Sequence, residues 1–140
     1  MEARAQTWQL ASTLDSVDWA EAHVTALAND AGFNEDECHE IGISVREAMV
    51  NAVVHGNHYS TEKKVNLSVD VSSGALTMVI EDSGSGLDLA TLPDPLAEEN
   101  LLRPSGRGLL IVGAFMDEFT VERRTEGGTR LRLRKNRPAG

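Results

Sequence analysis

The sequence predicts an α/β fold: a two-layer α/β sandwich whose mostly antiparallel sheet is covered by helices on one face. Three observations predict it. Apolar residues recur at helical spacing in two early segments and one late segment, while the strand segments alternate apolar with polar residues. Turn signals at Ser73-Gly74 and Gly127-Gly128 join neighbouring strands into hairpins. No strand reads as the continuous apolar run of a parallel strand buried on both faces, which disfavours a doubly wound Rossmann fold.

Taken in order, a short opening strand is expected near Trp8 and Leu10. Asp15 and Ser16 then offer capping oxygens to a helix bearing Val17, Ala20, Val24, Leu27, Ala28 and Ala31, which Gly32 ends. A second helix is expected to start between Asn34 and Glu37 and to run to about Val54, with Gly56 after it. Ile41, Val45, Ala48, Met49 and Ala52 form its apolar stripe, and Ser44, Glu47, Asn51 and His55 fall on a separate polar one. From Val65 the period becomes two: Val65, Leu67, Val69 and Val71, then Leu76, Met78 and Ile80 in a strand that delivers Asp82 at its end. The stretch 83–105 holds three prolines and no sustained periodicity, so it reads as a long functional loop. A helix from Gly108 to about Met116 follows, then a strand with Phe119 and Val121 and a last one with Leu131 and Leu133.

With 140 residues, 41% of them apolar, the chain suits one domain over 1–140 with a real core. A net charge of −9 argues against a protein whose work is neutralising nucleic-acid phosphates. The arginines and the lysine between Arg123 and Arg137 crowd the last segment, where they read as a solvated strand face. Cys38 is the single cysteine, so no internal disulfide is possible, and it reads as a partly buried helix residue rather than a nucleophile. The N-terminus lacks signal-peptide character, and no apolar run approaches the roughly 18 residues of a membrane span. A cytoplasmic protein acting on a small molecule or a protein partner, with no membrane and no nucleic acid, is the expectation.

Three constellations carry candidate chemistry. Glu47 and Asn51 stand one helical turn apart: Asn can give an oxygen to Mg²⁺, which takes only one or two protein ligands, and Glu can accept a proton. Asp82 leaves a strand into Gly84 and Gly86, where a carboxylate can accept from an exocyclic amine and Cβ-free residues can pass close to a flat base. Gly106, Arg107, Gly108 and Leu109 open an apolar helix, whose free N–H groups suit an anion, although the Gly-Lys-Ser/Thr ending of a Walker A loop is missing. Each alone is weak: a solvated helix face, a glycine-rich turn and a glycine-rich helix start would explain them separately.

In this order the three segments resemble the N, G1 and G2 boxes of the GHKL (Bergerat-fold) ATP-binding superfamily of gyrase, heat-shock chaperone, histidine kinase and MutL types. Glu47-Ala-Met-Val-Asn-Ala-Val-Val-His-Gly56, Pro93-Asp94-Pro95-Leu96, the run Glu99 to Gly108 and Met116-Asp117-Glu118 are most similar to the bacterial anti-sigma-factor serine kinases. The resemblance spans nearly the whole chain. It implies ATP or ADP and Mg²⁺ as cofactors, Asn51 as the metal ligand, Glu47 as the catalytic base, Asp82 as the acceptor for the adenine amine, and Gly84 and Gly86 lining the base. It further implies an ATP lid over about 87–105, phosphate contacts from Gly106, Arg107 and Gly108, with Leu109 beginning the helix behind them, and Thr129 closing the adenine end. Arg103 and Arg107 are the expected cations for the γ-phosphate. No second acidic residue that looks catalytic comes after the first motif, so Glu47 carries the kinase expectation almost alone.

The implied function is a serine/threonine protein kinase that phosphorylates a small antagonist protein and holds a sigma factor, as a homodimer. The alternative is a non-catalytic ATP/ADP-binding module that sequesters its protein partner. The phosphoacceptor-histidine hairpin of a sensor kinase and the transducer domain of a gyrase are both missing from the sequence.

Overall fold

The computed structural model describes residues 4–72, 74–83 and 107–137. Five strands form one sheet in the order β1-β2-β3-β5-β4, and every neighbouring pair is antiparallel. They are β1 (Arg4–Ala11), β2 (Lys64–Val71), β3 (Ala75–Glu81), β4 (Glu118–Arg123) and β5 (Thr129–Asn136). The helices are α1 (Leu14–Asp30), α2 (Glu35–Val50), a π-helical turn over Asn51–Gly56, and α3 (Arg107–Phe115). The expected sandwich is what forms, and the antiparallel pairing excludes the doubly wound alternative.

The core lies between the helices and one sheet face. Val17, Val24, Ile41, Val45 and Met49 from the helices meet Leu67, Met78, Ile80, Leu131 and Leu133 from the strands, and all are buried. The alternation read from the sequence explains this: in β2 the apolar positions Val65, Leu67, Val69 and Val71 are buried, and the residues between them are not. At the sheet edge, Trp8 of β1 meets α1 through an aromatic group. The Trp19 and His23 rings stack at 4.7 Å, and Trp8 stands edge-on to them at 5.5 and 4.8 Å.

Helix ends depart from the sequence reading in two places. The cap of α1 is Thr13, whose side chain accepts from the Ser16 amide at 3.2 Å, and not Asp15 or Ser16. Asp15 instead lies in the first turn, where its charge faces the positive end of the helix dipole. The second helix does begin as expected, with a capping box: Asn34 accepts from the Glu37 amide at 2.8 Å and Glu37 accepts from the Asn34 amide at 2.8 Å. Its far end is not α-helical. The amide of Asn57 reaches back five residues to the Ala52 carbonyl at 2.8 Å, and two left-handed residues, His58 (φ 50) and Tyr59 (φ 60), end the turn.

Two further expectations are refined. Ser44, placed with the polar stripe, is fully buried, and its hydroxyl has no partner among the described residues. Cys38 is buried, and burial together with the neighbouring Glu37 charge pushes its thiol up from the usual range, away from thiolate chemistry. Among the described residues no helix is long and apolar enough to cross a membrane.

Ile41 is fully buried in the α2 stripe, whereas Asn34 acts only at the exposed helix start. Ile41→Ala is expected to destabilise by about 2–5 kcal/mol and Asn34→Ala by about 1 kcal/mol. Urea unfolding monitored by circular dichroism checks this: both midpoints should fall, with Ile41→Ala well below Asn34→Ala and the slopes unchanged.

Candidate functional site

Glu47 sits in the last turn of α2, and Asn51 is the residue at which the helix loosens into the π turn. The Asn51 amide bonds back to both the Glu47 and the Ala48 carbonyls, so the two side chains stay one turn apart, and both are half-buried. Isolated π turns concentrate at functional positions, since the inserted residue re-aims the side chains beyond it.

The Glu47 carboxylate reaches the first turn of α3. A Cβ built on Gly108 would overlap Glu47 Oε2, so only a glycine lets the carboxylate approach this backbone. The N-terminal turn of a helix presents unpaired N–H groups and a partial positive charge. A proton acceptor is thereby held beside a surface suited to phosphate oxygens. Leu109 is buried in the core, so only its backbone could face such a ligand. Arg107 begins α3, and its side chain lies outside the described residues, as do Gly84, Gly86, Arg103, Gly106 and the whole expected lid over 87–105.

Asp82 leaves β3 and is buried. Its amide donates to the Thr129 carbonyl at 3.0 Å, and its Oδ1 accepts from the Thr129 amide at 3.1 Å. Two glycines close around it. A Cβ on Gly56, at the end of the π turn, would overlap the Asp82 carboxylate, and one on Gly128 (φ +92) would overlap the Asp82 carbonyl. The structure thus brings Asp82 and Thr129 into direct contact and seats the end of the π turn against them. His55, one residue before Gly56, is exposed.

Two residues of this region escape a reading of the sequence alone. Asn57 is buried, and its Nδ2 donates to Ser12 Oγ at 3.0 Å and to the Lys64 carbonyl at 3.2 Å, while its Oδ1 accepts from the Ser83 amide at 2.9 Å. Ser12 Oγ in turn donates to the Lys63 carbonyl at 2.5 Å. One carboxamide therefore joins the β1–α1 junction, the start of β2 and the exit of β3. Its sequence signal is slight: a polar residue directly after His55-Gly56, in a segment that reads as loop. Arg124 is the other, counted among solvated arginines, yet its Nη1 donates to the Asp82 carbonyl at 2.6 Å.

Among the described residues no cluster of three His, Cys, Asp or Glu side chains could hold a metal ion. Mg²⁺ does not need one, because it keeps most of its waters and takes one or two protein oxygens, and the half-buried Asn51 carboxamide fits that demand. At Gly56, Gly108 and Gly128 the missing Cβ leaves room for the protein's own Asp82 and Glu47 groups to lie against the backbone.

Residues 10–135 match the family model described as histidine kinase-like ATPase domain. The chain belongs to that family. It is 38% identical to the anti-sigma F factor of Bacillus subtilis over 103 residues, 72% of this chain and 70% of that one. It is 31% identical to the anti-sigma F factor of Geobacillus stearothermophilus over 129 residues, 91% of this chain and 88% of that one. A crystal structure of the RsbU and RsbW domains of a Mycobacterium tuberculosis protein superimposes with a TM-score of 0.68 and 18% identity, covering 97% of this chain and 34% of that one. At that identity the match shows a shared fold. The fold and family are therefore those the three motifs implied: a GHKL-type ATPase domain that resembles anti-sigma factors.

The Gly108 clearance makes a specific demand. Gly108→Ala should weaken ADP binding by roughly a few-fold, because the new Cβ drives the Glu47 carboxylate off the α3 start and into the space beside it. In a Glu47→Ala background the same change should have a much smaller effect, since the clash is gone. A calorimetric double-mutant cycle reads the difference, and additive losses would show that Gly108 does not act through Glu47.

Proposed function

We propose that this chain is an ATP-dependent serine/threonine protein kinase of the anti-sigma type, which phosphorylates a small antagonist protein and sequesters a sigma factor. The observation that carries the reading is the Glu47 carboxylate held against the first turn of α3 through Gly108, in a chain whose relatives are named anti-sigma F factors. A proton acceptor beside a phosphate-binding helix start is the minimum that phosphoryl transfer to a hydroxyl requires.

In this reading Asp82 accepts from the adenine amine, with Gly84 and Gly86 lining the base and Thr129 closing that end of the pocket. Gly106, Arg107 and Gly108 hold the phosphates through backbone N–H groups, and Arg103 and Arg107 balance the γ-phosphate charge. Asn51 gives its carboxamide oxygen to Mg²⁺, which when bound neutralises and orients the phosphates. Glu47 takes the proton from the partner's serine or threonine hydroxyl as that oxygen bonds to the γ-phosphorus and the bond to ADP breaks. Residues 87–105 act as the lid that excludes water. Two copies associate through β1, one of the two edge strands of the sheet. The site of action is the cytoplasm, where ATP and sigma factors meet.

Label transfer from radioactive ATP to an antagonist protein, measured beside nucleotide affinity, tests the roles. Glu47→Ala should slow transfer by about 10² to 10⁴ while ADP affinity stays near that of the parent. Asn51→Ala should weaken Mg²⁺-dependent nucleotide binding and transfer together. A Glu47→Ala protein that transfers at the parent rate would end the base assignment. Tight ATP binding with no transfer to any antagonist by the parent protein would favour the non-catalytic sequestering module.

Base choice gives a second check. Asp82→Asn replaces part of the acceptor with a donor at nearly constant shape and should weaken ADP binding by about 1–3 kcal/mol, read by calorimetry. Unchanged affinity would remove Asp82 from the base site.

A further inference from the structure

We propose that Arg124 is a positioning residue for base selectivity: its guanidinium holds the Asp82 carbonyl and so steadies the strand end from which the carboxylate that reads the exocyclic amine projects. The proposal rests on the reading of Asp82 as the base acceptor. Arg124 lies just after β4, where the turn into β5 begins. That turn is closed by its own hydrogen bonds: the Arg124 amide donates to the Gly128 carbonyl at 3.0 Å and the Gly127 amide to the Arg124 carbonyl at 3.1 Å. The next residue, Thr129, donates to Asp82 Oδ1 at 3.1 Å. A single short turn thus grips Asp82 three times, at the carbonyl through Arg124 and at the amide and the carboxylate through Thr129.

The arginine's shortest contact serves this task, beside an ion pair to the exposed Glu126. Its side chain is only 15% exposed, and its shortest contact, 2.6 Å from Nη1, goes to the Asp82 carbonyl. Nη2 donates to Glu126 at 3.1 Å, while Nε stands 3.6 Å from the Glu81 carboxylate, beyond good hydrogen-bond length. Arg130 shows the contrast. It lies on β5, is far more exposed, and pairs with Glu81 at 2.7 Å and Glu122 at 3.3 Å. A charge-assisted bond to a carbonyl is stronger than a neutral one, and the rigid guanidinium fork fixes its direction. Holding the carbonyl fixes the Asp82 ψ angle, and with it the path by which the chain leaves towards Ser83. The Asp82 amide is tied to the Thr129 carbonyl and the Ser83 amide to Asn57 Oδ1, and Arg124 adds the hold on the carbonyl between them.

The consequence is selectivity and not merely affinity. A loosened Asp82 still fills the pocket but no longer meets the amine at a good angle, so an adenine nucleotide loses more than one that lacks the amine. Calorimetry with ADP and with IDP, which carries an oxygen in place of the amine, separates these effects in the parent protein, Arg124→Ala, Arg124→Lys, Asp82→Asn and the Asp82→Asn/Arg124→Ala double variant. The parent should prefer ADP. Arg124→Ala should reduce the ADP-to-IDP affinity ratio roughly tenfold while changing IDP affinity little, with Arg124→Lys in between because it keeps the charge and loses the fork. In the Asp82→Asn background, Arg124→Ala should leave the ratio unchanged. Should Arg124→Ala not fold, Arg124→Lys carries the same comparison. A parent without preference for ADP overturns the reading of Asp82, and this proposal with it. A parent that prefers ADP, combined with an Arg124 variant that keeps the full ratio or loses both affinities equally, overturns the role of Arg124 alone.

Discussion

The buried carboxamide of Asn57 is the interaction on which the rest of the site depends. A polar group at this depth must find partners or the fold loses about 1–3 kcal/mol for each one left unpaired, and here both ends are satisfied. The bonds matter because of where they go. Their partners sit before α1, at the start of β2 and directly after Asp82, three adjoining ends of the paired strands β1, β2 and β3, and the carboxamide ties the end of the π turn to all of them. The helix carrying Glu47 and Asn51 is thereby tied to the strand end carrying Asp82, so the two halves of the site move as one piece.

Close approach is the second theme. Both acidic residues of the site press against backbone that has no Cβ: Glu47 on Gly108, and Asp82 on Gly56 and Gly128. Carboxylates usually keep water around them. Here glycine contacts hold them against main chain instead, narrowing their freedom before any ligand arrives, and such preorganisation lowers the ordering that binding must bring about.

The fold is legible in the sequence because it derives from periodicity. The alternation in β2 and β3, the helix start at Asn34 to Glu37, and the Gly127-Gly128 turn each write a local rule into adjacent residues, and each forms where expected. The places of Glu47, Asn51 and Asp82 in the fold are legible for a similar reason: they lie at or just past the end of a helix or strand. Asn57 and Arg124 are not legible, because what defines them is a partner 26 to 45 positions away, and nothing in their own neighbourhood records that contact. The α1 cap falls at Thr13 and not at Asp15 because several capping side chains stand in a row and only geometry chooses among them. Ser44 lies on the expected helical stripe but at a different depth, since a stripe says nothing of how far each turn is covered.

The π turn carries an implication for how this chain can vary. A π turn is an α-helix with one residue too many, and the surplus rotates everything beyond it by about a hundred degrees relative to an unbroken helix. Asn57 faces its three partners only because that rotation has been made. Loss of any one residue between Asn51 and Gly56 would restore regular winding, carry the carboxamide round to another side and uncouple the helix from the sheet, and would shift the buried Ala52 and Val53 as well. Length in these six positions is therefore constrained alongside the identity of Gly56.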